Sequence, residues 1–391
     1  MNAEIPIERF EIFASGLDHP ECLAFDRDGE LWAGGEAGQV YRITPAGVVA
    51  TVANLGGFCA GLAFSAADEL FVCNTGLGIV QVKPSGKFSV FASHVDGRKL
   101  ICPNFGVFDS AGNYYVTDSG NWKKQNGFLL RFRPDGGGEI LGGPYGYANG
   151  LALSADERFL FMVESDTDRI FRFEIDGNGS LGPQAVYVDH AGRFPDGLAL
   201  DAEGNLYVSN SSSQPGSKVL EEFTNPAPNG AVVRIRPDGR GEVVATGIYF
   251  ANGTAIAPNE DAVYVLESTR HDCLRIPLKK DGTFGKPEIY ASGFPALPDG
   301  MAFDAERNLY VTLPGVPKDG KLAPVNKLIR IDPNGKWEIL IDDPSGTKLA
   351  FPTNCAFGGP GLQDLFIANL EGDHFNRVRL SIPGHPLYHQ R

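Results

Sequence analysis

The sequence has almost no helical periodicity, no apolar run approaching the length that crosses a bilayer, and no linker or low-complexity stretch. Those absences exclude a helical architecture, a membrane-spanning helix and a string of separate modules. Positive charge is also scarce: 34 Lys and Arg face 48 Asp and Glu, for a net charge of -14. Phosphate binding needs clustered cations, so neither nucleic acid nor an anionic membrane surface is an expected partner, whereas cation binding is compatible. The opening MNAEIPIERF has no basic region followed by an apolar run, which makes a cytoplasmic location the expectation. The six cysteines show no CxxC spacing and read as small buried thiols; Cys22 with Cys355, or Cys59 with Cys102, are pairs that neighbouring blades could bring together. There is no GxSxG, and Ser119, in a DSG sequence with no histidine near it in the repeat, reads as a turn residue.

What is present is one sentence repeated from end to end. Its clearest copy is FPDGLALDAEGNLYVSN, from Phe194 to Asn210: a polar residue, a short apolar strand, a tight turn rich in Asp, Gly and Asn, and a second alternating strand. Other copies start near His19, Cys59, Cys102, Tyr147, Phe250, Leu297 and Phe351, which makes about eight units. Each continues through a third strand, a PDG-type turn as in FLLRFRPDG or AVVRIRPDG, and a fourth strand such as GEVVAT or PEIYAS. Short strands repeating at this period are the signature of a β-propeller, so the expected fold is all-β: four-stranded antiparallel blades in a single domain over 1–391. The last unit runs out after RVRLSI, and FEIFAS near the N-terminus reads like a fourth strand. Phe10 to Ala14 is therefore expected to complete the last blade and close the ring without an open sheet edge.

In a propeller the first strand of each blade lines the channel, so one register position forms a ring. Just ahead of the GLA-like strand that position holds Glu21, Ala60, Asn104, Asn149, Asp196, Asn252, Asp299 and Asn354. A single Asn or Asp before Gly is ordinarily a turn residue. Three carboxylates and four amides converging on one axis would repel and desolvate one another unless a cation neutralised them. Oxygen-only donors suit a hard divalent cation; Ca²⁺ is favoured, with Mg²⁺, Mn²⁺ and Zn²⁺ as alternatives. Three insertions fall on the same face and are expected to wall a pocket: Ser119 to Asn126 with Trp122, Asn210 to Gly230 with Phe223, and Leu313 to Val325 with its prolines. His271 and His374 fall on loops of that face and are read as general bases, pocket donors or solvated loop residues.

These motifs, above all HPECLAFD with Glu21, PNFG with Asn104, the ANGLALS and PDGLALD pair, and PTNCAFGG, resemble the SMP-30, gluconolactonase and luciferin-regenerating enzyme family, with kinship to paraoxonases and strictosidine synthase-like propellers. The resemblance implies a divalent metal held by Glu21, Asn149 and Asp196, with Asn104 on the substrate and the Asp as base. It also implies six blades where the sequence counts eight. The ANG and PDG motifs occur twice, at Asn149 and Asp196 and again at Asn252 and Asp299, so two sets of partners compete for the role. The expected activity is a metal-dependent hydrolase opening a lactone or related ester, with Asp196 or Asp299 as base, and Asn104, Asn354, His271 and Trp122 around the substrate. Two rivals stand beside it. One is a scaffold propeller with a structural cation that binds a ligand or protein without catalysis. The other is condensation or lyase chemistry of the strictosidine synthase-like kind, resting on an isolated acid such as Glu267 or Glu164.

Overall fold

The structure is a computed structural model that describes residues 4–154, 156–167, 169–188, 195–212 and 220–387. Phe194, which opens the clearest repeat, and 213–219 of the long Asn210 to Gly230 segment lie outside the described residues. Eight four-stranded antiparallel sheets are the blades of a β-propeller, and their strands run in chain order within each sheet except in the last. Two compact units share them: residues 14–191, and residues 192–391 together with 1–13. Among the described residues no helix is long and apolar enough to cross a membrane.

The first unit holds blades 1 to 4, whose first strands are Leu23–Phe25, Cys59–Phe64, Pro103–Phe108 and Ala148–Leu153. The second holds blades 5 to 8, opening with Pro195–Leu200, Ala251–Ile256, Met301–Phe303 and Pro352–Gly358. Within each unit, consecutive first strands lie side by side. The cores lie between consecutive blades. Tyr264, Leu266 and Cys273 of blade 6, for example, pack on Phe303, Leu309 and Ile329 of blade 7.

The first turn of the blade follows from its sequence. In DAEGNLY the Asp201 carboxylate accepts from the Asn205 backbone at 2.9 Å, the Asn205 side chain at 2.9 Å and the Tyr207 hydroxyl at 3.1 Å. DAERNLY builds the same knot on Asp304, Asn308 and Tyr310, and DSAGNYY builds it on Asp109, Asn113 and Tyr115. The buried tyrosine supplies apolar area while its hydroxyl is satisfied, so one heptad fixes both the turn and the packing of the second strand.

Two expectations about the strands meet different outcomes. Glu11–Ala14 is the fourth strand of the last blade, in the order Glu11–Ala14, Phe375–Arg379, Asp364–Asn369, Pro352–Gly358. The Leu313 to Val325 segment, expected as a proline-bearing loop, is instead a hairpin. Leu309–Lys318 pairs with Lys321–Ile331 down to Lys318 opposite Lys321, with a register shift between Leu313 and Gly315 that absorbs Pro314. A proline at a bulge costs no ladder bond, which is why the strands run through it. The cysteines are free, and all but Cys102 are buried. Cys22 lies against blade 2, where its thiol donates to the Cys59 carbonyl at 3.4 Å.

Phe10 is fully buried among Tyr310, Leu340, Leu349, Cys355 and Phe357. We expect Phe10→Ala to cost about 3–5 kcal/mol in a urea unfolding titration. A variant with unchanged midpoint would show that the N-terminal strand adds nothing to the last blade.

Candidate active site

In the second unit the register residues of all four blades converge. Asp196, Asn252, Asp299 and Asn354 line a single cavity of about 590 Å³, and the apolar remainder of the four first strands continues its wall. The convergence depends on glycine. A Cβ on Gly197 would lie 2.7 Å from the Asn252 carbonyl oxygen, and one on Gly253 would lie 2.5 Å from that of Asp299. Hydroxyls at the end of the second strand tie blade 5 to blade 6 and blade 7 to blade 8. Ser209 donates to the Asn252 carbonyl, and the Thr312 hydroxyl donates to the Thr353 carbonyl at 3.0 Å while accepting from the Gly300 amide at 3.0 Å.

These fixed backbones aim the two carboxyl groups at the same space. Burial pushes the Asp299 carboxyl up to about 7, the Asp196 charge pushes in the same direction, and a hydrogen bond from the Asn252 side chain only partly offsets them. Asp196 is reached by solvent from the cavity, yet crowding strips enough of its hydration to raise its carboxyl as well, against a 3.1 Å bond from the Ser211 hydroxyl. The Asn354 side-chain oxygen accepts from the Cys355 amide at 2.8 Å. The donor set is thus two carboxylates and two carboxamides around one volume, the oxygen-rich set that a hard divalent cation requires.

The first unit carries the other register residues. Glu21 is exposed just ahead of the first strand of blade 1, and its charge adds to the upward push on the Cys102 thiol and the Tyr147 hydroxyl, both raised chiefly by burial. Asn104 is buried, whereas Asn149 is half-buried and donates from its side chain to Ser165 at 3.2 Å. Trp122 stands edge-on to Tyr147 at 4.7 Å and is 57% exposed. Of the two competing Asn and Asp pairs, Asn252 and Asp299 therefore share a cavity with Asp196, while Asn149 belongs to the other unit.

Several candidates are turned elsewhere. His271 is half-buried beside the Phe294 carbonyl at 3.3 Å, burial lowers its imidazole, and it is not among the cavity-lining residues. His374 bonds the Lys348 carbonyl. Phe223 packs on Phe250 at 4.5 Å, and neither Phe223 nor the 313–325 hairpin lines the cavity. The two acids of the lyase reading cap backbone instead: Glu267 accepts from the Tyr249 amide at 2.8 Å, and Glu164 from the Gly146 amide at 2.7 Å. Residues missed at the sequence level are Ser209, Thr312 and Ser211, together with the C-terminal His385, Pro386 and Leu387, which line the cavity. The hydroxyls had a signal, because YVTD, YVSN and YVTL repeat Ser or Thr at one position of the second strand.

Glu267 is paired across the strands with Asp272, and both are buried. Burial pushes the Asp272 carboxyl up, the adjoining Glu267 adds to this, and Arg270 at 3.6 Å offsets it in part. An acid raised on folding binds its proton more tightly in the folded state, so this pair's contribution is complete at low pH and is lost as pH rises through the folded value. In urea titrations from about pH 5 to about pH 8, Asp272→Asn should therefore gain stability relative to the parent as pH rises. Parallel pH curves would mean that the Asp272 carboxyl is not raised on folding.

Comparison with known proteins agrees with the family resemblance carried by the repeats. A gluconolactonase from Zymomonas mobilis is 27% identical over 322 residues, which cover 72% of this chain and 83% of that protein. The lactonase drp35 of Staphylococcus epidermidis is 26% identical over 216 residues, 48% of this chain and 62% of its own length. A solved structure of a calcium-binding protein, regucalcin, from Agrobacterium tumefaciens aligns with a TM-score of 0.44 at 16% identity, covering 72% of this chain and 92% of that one. The model of the SMP-30/Gluconolactonase/LRE-like region matches twice, over residues 20–219 and 210–371. The chain belongs to the SMP-30/gluconolactonase/LRE-like family.

Proposed function

We propose that this protein is a divalent-metal-dependent hydrolase that opens a lactone or a related ester in the cavity of the second unit. The observation that carries the proposal is that Asp196 and Asp299 line one volume with two carboxamides, where burial first and the Asp196 charge second push the Asp299 carboxyl up to about 7. Relatives named gluconolactonase and lactonase supply the substrate class. Asp196, Asp299, Asn252 and Asn354 would hold the cation, with Ca²⁺ favoured by their oxygen-only chemistry. When bound, the cation supplies Lewis-acid polarisation of the substrate carbonyl and offsets the negative charge that develops on its oxygen.

The residues of the chain do the rest. Asp299, held by Asn252, accepts a proton from a water molecule whose oxygen adds to the lactone carbonyl carbon. The ring C–O bond then breaks, and the proton returns from Asp299 to the leaving alkoxide, giving the hydroxy acid. Asp196 is oriented by Ser211 toward the same space. The Asn354 oxygen accepts from the Cys355 amide with one lone pair and keeps the other for the cation, while its amide nitrogen is left to donate to a substrate oxygen.

Testing requires turnover and stability on the same samples. Added Ca²⁺ should raise the melting temperature and support hydrolysis of a panel of lactones and aryl esters, and a chelator should remove both. Asp299→Asn should cost about 10²–10⁴-fold in kcat. Because one of the facing charges is gone, that variant should melt above the parent in chelator and respond less to Ca²⁺. Hydrolysis that survives exhaustive chelation, or a cation effect confined to stability, would overturn the proposal.

A further inference from the structure

The cavity has two chemically distinct ends. One carries the four polar register residues; the wall beyond them is Leu198, Leu200, Ile256, Met301, Phe303 and Phe357. Leu198 is 62% exposed and Leu200 43% exposed, so apolar surface faces the cavity without being packed away. From Asp196 to Leu200 the strand advances about 13 Å, which sets the depth between the acidic end and the far end of the wall.

At that far end the chain returns. His385, Pro386 and Leu387 line the cavity although they belong to no blade. The segment is fastened rather than draped. Asp304 and Gly384 form an antiparallel bridge, the Ala305 amide donates to the Pro383 carbonyl at 2.9 Å, the Gly384 amide to Leu362 at 2.8 Å and the His385 amide to Phe303 at 3.0 Å. Gly384 is required for this seat, since a Cβ there would lie 2.1 Å from the Phe357 Cβ. All three anchoring carbonyls and the bridge come from blades 7 and 8 or the segment itself, at the ends of first strands opposite the register residues.

We infer that the segment Gly384–Leu387 floors the apolar end of the cavity and sets the length of the apolar substituent that a substrate carries. This rests on the hydrolase reading above and deepens it. The substrate class is a lactone or ester whose reacting carbonyl sits at the acidic end and whose unbranched alkyl chain lies along Leu198, Leu200 and Phe303, rather than a fully hydroxylated sugar lactone. A polyol ring would leave its hydroxyls facing apolar side chains, whereas an alkyl chain removes exposed Leu surface from water.

The test is the chain-length dependence of kcat/KM for γ-lactones with side chains from methyl to decyl. It is measured on the parent, on Leu387→Trp and on a chain ending at Pro383, each checked for an unchanged melting temperature. In the parent, kcat/KM should climb about fourfold per methylene and then stop at a defined length. Leu387→Trp should move that break to shorter chains, and the shortened chain should move it to longer ones. If the shortened chain fails to fold, Leu387→Trp alone decides. A break that does not move, or a preference for gluconolactone over every alkyl lactone, would overturn the inference. Should the parent hydrolyse no lactone or ester, the hydrolase reading fails by itself; calorimetric binding of γ-undecalactone, weakened by Leu387→Trp, would then uphold the floor, and equal or absent binding would reject it.

Discussion

Two carboxyl groups set the terms of this molecule's chemistry. Asp196 and Asp299 come from blades 5 and 7 and reach one cavity, where burial raises both carboxyl groups and the Asp196 charge adds to the rise at Asp299. Nothing local to either residue creates this. Each stands where a turn residue would stand, and only the repetition of the blade carries both to the same volume. The carboxamides of Asn252 and Asn354 complete the set without adding charge, and in our proposal one cation balances the two carboxylates.

The scaffold maintains that confrontation through features of very small size. Glycines after Asp196, Asn252 and Asp299 let neighbouring first strands approach to distances that a methyl group would forbid. Ser209 and Thr312 then bond across the gap to the carbonyls of the next blade, so the backbone of the site is held from behind. Side-chain knots around Asp201 and Asp304 fix the opposite end of the strands that carry Asp196 and Asp299. With both ends of a first strand pinned, the carboxyl groups have little freedom to relieve their repulsion by moving apart.

Much of this was legible in the sequence because it repeats. Eight copies of one heptad-and-strand sentence reveal the blades, and a fixed register marks eight positions from Glu21 to Asn354, of which Asp196, Asn252, Asp299 and Asn354 share the cavity. The Phe10 to Ala14 strand was legible for the same reason, as the missing fourth line of the last copy. What does not repeat was not legible. The prolines of 313–325 suggested a loop, because the bulge that lets a strand tolerate Pro314 depends on its partner strand. Leu387 has no counterpart in any other unit, so its place beside the cavity follows only from tertiary contacts near Phe303 and Phe357. Glu267 and Glu164 looked like isolated acids along the chain; the backbone amides that they accept lie 18 residues away in each case.

The central claim is that Asp196 and Asp299 are reconciled by one bound cation. Anomalous diffraction from crystals grown with a lanthanide, which takes the same oxygen ligands as Ca²⁺, tests it without reference to any substrate. The account predicts a single strong peak within bonding distance of both carboxylates and an Asn252 or Asn354 oxygen, absent from crystals of Asp299→Asn. Crystals with no peak there, and with the two carboxyl groups joined through a proton or turned away from each other, would contradict it.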